Sequence, residues 1–172
     1  MKYEINLDNK ILDFLKVKLN ISKDEIIDLK KKINEIINLA VKHEKINADK
    51  IYVSISSATQ EQIKDLNNKY RKIDKVTDVL SFPIFSKEEF DEIRNNKQSK
   101  DLQLELGDII LCLDIVEEHS IEYNTGLVRE ILYMITHGIC HLLGYDHIEL
   151  YDKKCMRQLE EEILTKIGVN ED

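Results

Sequence analysis

Tyr3, Ile5 and Leu7 alternate with polar residues, and a period of two predicts a first strand at about residues 2–7. Residues 8–20 read as a mixed connection with a short helix around 12–17. Ser22 followed by Glu25 has the spacing of a capping box. Behind it Ile26, Leu29, Ile33, Ile36, Ile37, Ala40 and Val41 recur at helical spacing. This predicts a long core-packing helix, with His43 near its end as a solvated cation that complements the dipole. Ile51, Val53 and Ile55 alternate again, so a second strand is expected at 51–56. Ser57 or Thr59, each with a glutamine three residues on, opens a helix that runs to about Tyr70 or Arg71, with Ile63 and Leu66 facing inward.

Val79, Ser81 and the only proline, Pro83, predict a short third strand near a sheet edge, because proline cannot donate to a ladder. Residues 84–103 are charged and polar. They read as a mobile loop, with no more than a helical turn at 87–93. A fourth strand is expected at 106–112. Asp114 with Glu117 predicts the cap of a short helix to about Tyr123, which Asn124-Thr125-Gly126 breaks. Leu127, Ile131, Met134 and Ile135 then recur at helical spacing in a helix that looks buried on much of its circumference. Asp146 with Glu149 is a further capping-box pattern, for a last helix over 148–167. The elements together predict one domain over residues 1–172, with about four strands packed with helices.

Composition narrows this little. A hydrophobic fraction of 42% and a charged fraction of 34% suit a soluble globular chain of 172 residues. No apolar run is long enough to span a bilayer, and the N-terminus does not read as a signal peptide, so the cytoplasm is the expected location and no membrane partner is expected. Cys112, Cys140 and Cys155 are odd in number and lack C-x-x-C spacing, which argues against a disulfide framework. A net charge of −8 argues against indiscriminate nucleic-acid binding but leaves room for a local basic path. Lys64, Lys69, Arg71, Lys72 and Lys75 form the densest basic cluster. On charge alone a solvated helix end is the commoner meaning of such a cluster.

The chemistry concentrates in residues 136–147, T-H-G-I-C-H-L-L-G-Y-D-H, which hold three of the five histidines. His137 and His141 are four apart and project from one face of a helix. Gly144 can take the left-handed conformation that ends a helix and turn His147 back towards them. Three imidazoles leave a fourth position open, which suits a catalytic zinc ion better than a closed structural one. The metal site is thus expected on a buried helix and the turn after it. The spacing is also that of the metzincin proteases, except that Gly138 stands where they carry the glutamate base. Cys140, rotated away from both histidines, reads as a small buried hydrophobe. Asp146 fits two roles equally, a helix cap or a carboxylate that orients a ligating imidazole.

H-G-I-C-H-L-L-G-Y-D-H at 137–147, L-N-N-K-Y-R at 66–71, T-D-V-L-S-F-P at 77–83 and L-G-D-I at 106–109 together resemble the bacterial YbeY family over about residues 51–164. The resemblance implies an α+β fold, a mixed sheet packed with helices and the metal in a cleft between them, and a zinc-dependent endoribonuclease specific for single strands. It would act in ribosomal RNA maturation, at the 3′ end of the small-subunit RNA, and in ribosome quality control. Small-subunit proteins or assembly factors are the implied partners. It places the metal on His137, His141 and His147, and the functional arginine at Arg71, with His137 and Arg71 as the catalytic pair. Lys64, Lys69, Lys72 and Lys75 become the candidate RNA path. The chain departs from the family at Cys140, usually leucine, at Lys72, often glycine, and at Val76, often proline. Its segment from Ile84 to Gln103 is also longer. A zinc hydrolase of another substrate class and a non-catalytic assembly factor with a structural zinc are the alternative readings.

Overall fold

The computed structural model describes residues 2–95, 102–146 and 149–169. Four strands form one sheet in the order β1-β2-β4-β3. β1 (Lys2–Leu7) and β2 (Lys50–Ser57) are parallel, and β2 is parallel to β4 (Gln103–Leu111). β3 (Val79–Pro83) runs antiparallel to β4 at the sheet edge, where Pro83 costs no ladder bond. The mixed sheet and α+β class are those expected from the sequence.

Helices α1 (Asn9–Leu19) and α2 (Lys23–His43) make the parallel crossover from β1 to β2. α2 begins at the predicted capping box: Ser22 Oγ accepts from Glu25 N at 3.2 Å, and Glu25 accepts from Ser22 N at 2.7 Å. α3 (Gln60–Arg71) begins the same way at Thr59 and Gln62. α4 (Lys87–Asn95), α5 (Leu113–Glu122), α6 (Leu127–Leu142) and α7 (Leu150–Lys166) complete the described helices.

Three local expectations need correction. The segment 84–103 is not simply a loop. Ser86 and Glu89 form a capping box, and α4 buries Phe90 completely against Phe85, with ring centroids 5.4 Å apart. β4 also starts at Gln103, within the expected loop. Asp114 does not cap α5; it lies in the first turn, behind Cys112, and no side chain caps that end. Asp146 does not cap α7, whose N-cap is Glu149.

α6 is the central helix, packed on β3 and β4 and against α2, α5 and α7. Ile131, Leu132, Ile135, Ile139, Cys140 and Leu142 are fully buried. Gly138 faces the sheet. A Cβ there would lie 2.8–3.0 Å from the side-chain carbons of Ile109 on β4. Glycine therefore lets the helix seat closely on the sheet, at a helix-propensity cost of about 1 kcal/mol relative to alanine. Gly138→Ala is expected to lower stability all the same, because overpacking of about 1–3 kcal/mol outweighs the propensity gain. A denaturation midpoint above wild type would show that Ile109 yields freely.

Candidate metal centre

The last turn of α6 and the chain that follows it shape the site. Gly144, with φ +90°, reverses the chain after Leu143. Gly144 N donates to His141 O and Tyr145 N donates to Cys140 O, both at 3.0 Å, the bonding pattern of a Schellman end. That reversal brings the Tyr145 carbonyl back over the helix, where it accepts from His141 Nδ1 at 2.9 Å. Tyr145 is tethered from outside as well, since its hydroxyl donates to Glu44 at the end of α2. Glu44 in turn pairs with Arg94 of α4 and lies 3.1 Å from His43 Nδ1. His43 is thus engaged with Glu44 rather than simply solvated.

His137 is held from the other side. Its Nδ1 lies 2.7 Å from Oε1 of Glu160, on α7. Glu160 is only 5% exposed. The two imidazoles stand nearly perpendicular, and their Nε2 atoms are 3.0 Å apart.

These contacts fix the hydrogen positions. A backbone carbonyl only accepts, so His141 must carry its proton on Nδ1. An ionised carboxylate imposes the same tautomer on His137. The Nε2 atoms of the two rings then face one another. A proton on one ring or a metal ion against both joins two nitrogens at this distance. Imidazoles anchored through Nδ1, with their Nε2 atoms turned to one point, have the form of metal ligands, and one ion can touch two nitrogens this close. The donor set fits a metal of the zinc type.

His137 and His141 are therefore brought together as expected. His147 lies outside the described residues. Among the described residues no third His, Cys, Asp or Glu completes a ligand cluster with the pair. Cys140 is fully buried, and burial pushes its thiol well above the usual range, which removes it as a thiolate ligand. Asp146 is exposed, and the groups that meet Nδ1 of the two described histidines are Glu160 and the Tyr145 carbonyl.

No local sequence motif singles out Glu160, although its place on the helix carries a signal. Met156, Leu159, Ile163 and Leu164 mark the buried face of α7, and position 160 falls on it. A glutamate on an apolar stripe needs a partner. Glu130 on α6 carries the same signal: it is buried, and accepts from Arg129 and from the Thr125 hydroxyl. A groove of about 400 Å³ runs from His137 past Tyr133, Glu130 and Asp78 to His119 and Tyr123. His119 Nδ1 lies 3.5 Å from Asp78 Oδ2.

Arg71 is exposed at the end of α3 and makes no hydrogen bond or ion pair among the described residues. Its neighbour Tyr70 stacks edge-on with Phe82 of β3, centroids 5.1 Å apart, so the segment is anchored to the sheet. Beyond it, Asn67 Nδ2 donates to Lys75 O and holds the connecting loop. Lys72 takes the left-handed conformation, with φ 62°. Lys72→Gly is expected to stabilise by about 0.5–1 kcal/mol, read as a raised denaturation midpoint, because glycine adopts this conformation without the Cβ penalty. Lys69 lies over the Tyr70 ring, Lys64 approaches Asp74 at 3.7 Å, and Lys72 Nζ donates to Lys69 O. Neither Arg71 nor these lysines are among the described residues lining the groove beside His137.

The family model for endoribonuclease YbeY matches residues 16–168. The chain belongs to the YbeY family. An endoribonuclease YbeY from Clostridium botulinum (strain Langeland) is 43% identical over 151 residues, covering 83% of this chain and 90% of that protein. One from Clostridium perfringens (strain SM101) is 41% identical over 156 residues, covering 83% and 89%. The solution structure of a Thermotoga maritima protein has a similar fold, with a TM-score of 0.51 and 26% identity over 96% of this chain and 91% of that one. The YbeY family motifs thus fall, over the described residues, on α3, on β3 and the two residues before it, on β4, and on the end of α6 and the turn after it.

Proposed function

We propose that this chain is a metal-dependent endoribonuclease that cleaves single-stranded RNA during ribosomal RNA maturation, with zinc as its ion. Membership of the YbeY family supports the reaction class. The observation that carries the metal is the pair of Nε2 atoms 3.0 Å apart, each on a ring whose Nδ1 is already engaged. His137 and His141 would hold the ion, with His147 as the third nitrogen. Bound zinc supplies a water acidic enough to ionise near neutral pH and an electrophile for a phosphoryl oxygen. Arg71 would hold a phosphate through its forked donors and oppose charge developing in the transition state. Lys64, Lys69, Lys72 and Lys75 would guide the strand, with small-subunit proteins or assembly factors as partners.

Peptide hydrolysis is disfavoured by packing as well as by the missing carboxylate. The Cβ direction at Gly138 leads into Ile109, so the position has no room for a protease-type glutamate. Among the described residues no helix is long and apolar enough to cross a membrane. We place the protein in the cytoplasm, where its RNA substrate is made. The test is metal analysis of the purified chain beside digestion of matched single-stranded and duplex RNA, with a chelated control. Zinc-bound protein that leaves single-stranded RNA intact would favour the assembly-factor alternative.

A further inference from the structure

We propose that Glu160 is a positioning residue of the metal centre: it fixes the His137 tautomer and supplies buried negative charge that balances the ion. The inference rests on the metal reading above and extends it to a residue on a different helix.

Three observations converge on this role. Glu160 is a carboxylate 5% exposed, and its one hydrogen-bond partner among the described residues is His137. That partner is an imidazole, neutral when it ligates a metal. A divalent ion on the opposite nitrogen of the same ring would balance a carboxylate held there. The contact is also placed for this task. The 2.7 Å approach is to Nδ1, which leaves Nε2 turned towards His141. Finally, the two rings are supported unequally. His141 is held by a carbonyl dipole, whereas His137 is held by a full charge. A carboxylate on Nδ1 makes an imidazole the stronger donor. His137 is thus the better of the two ligands, and α7 is coupled to the metal through it. Residues Met156, Leu159 and Ile163 dock α7 into the core and so set the reach of the carboxylate.

The experiment uses the full chain and zinc itself as the probe. Zinc affinity is measured by competition with a chromophoric chelator for wild type, Glu160→Gln and Glu160→Asp. Nitrogen NMR of the histidine rings reads the His137 tautomer in metal-free protein. Wild type is expected to carry the proton on Nδ1 of His137. Glu160→Gln keeps the shape and loses the charge, and zinc affinity is expected to fall about 10- to 100-fold. Glu160→Asp keeps the charge but shortens the reach, and is expected to recover only part of that loss. Zinc is also expected to raise the thermal midpoint of wild type more than that of Glu160→Gln. Equal zinc affinity in Glu160→Gln and wild type, with only a lower midpoint, would make Glu160 a packing residue and overturn the proposal. A proton on Nε2 of His137 in wild type would overturn it without any variant. If wild type itself fails to bind zinc, the metal reading fails instead, and the two failures are told apart.

Discussion

His141→Ala is expected to abolish zinc retention and to reduce cleavage of single-stranded RNA to the level of the chelated wild type. The ring it removes has one nitrogen committed to the Tyr145 carbonyl and the other facing His137. Its loss takes away a proposed ligand while leaving the Schellman turn, which is built from backbone bonds, in place. The folded state should therefore persist, with a near-normal circular dichroism spectrum. His137→Ala should be as inactive but distinctly less stable. It strands Glu160 in the core with its partner gone, a penalty of about 1–3 kcal/mol for an unsatisfied buried group. His147→Ala is expected to lose the ion as well. The measurements are metal content, RNA cleavage rate and denaturation midpoint on the same preparations. Full zinc occupancy in His141→Ala would dismiss the site.

The contrast between the two variants follows from how the helices meet. α6 presents both rings, but the groups that aim them come from elsewhere. Tyr145 lies just past the helix end and is tied to α2 through Glu44. Glu160 arrives on α7. The site is therefore a property of three packed helices, and a peptide of residues 136–147 would not reproduce it.

Much of this could be read from residue order alone. β1, β2 and α2 announce themselves by clean periods of two and 3.6, and the caps at Ser22 and Thr59 stand where their partners predicted. The His137 and His141 pairing follows from helical geometry. What escaped was of two kinds. Asp114 and Asp146 match the cap pattern but are not at the caps, because packing rather than the pattern decides where α5 and α7 begin. The Ser86 and Glu89 box is masked in the sequence because α4 is mostly charged and packs only through Phe90 and Ile93, beside Phe85. Glu160 was missed for a different reason. Its partner is 23 positions away, and no local pattern pairs them. Only the misfit of a charge on the stripe of Met156, Leu159 and Ile163 betrays it.

Arg71→Ala is expected to keep the zinc and the thermal midpoint while cutting cleavage of single-stranded RNA on the order of 100-fold or more, the cost of losing one transition-state donor. The structural half of this expectation has a direct basis. Arg71 is exposed and bonds to nothing among the described residues, whereas the anchoring of its segment belongs to Tyr70 on Phe82 and Asn67 on the Lys75 carbonyl. Removing the guanidinium therefore removes no contact that the fold uses. The functional half rests on the match to the family arginine and on the fixed course of the chain around it. Arg71→Lys should recover little, because an ammonium is a point charge and cannot reproduce the two-pronged geometry. If Arg71 is instead one attracting charge among several, Arg71→Ala and Lys72→Ala would lose similar, small amounts of activity, and added salt would erase both losses. Lys72 is a fair control, since its ammonium already donates to the Lys69 carbonyl and alanine keeps the same left-handed strain. Rates for Arg71→Ala, Arg71→Lys and Lys72→Ala at two salt concentrations separate the cases. A salt-independent loss confined to position 71 assigns Arg71 to catalysis, and equal losses at 71 and 72 withdraw that role.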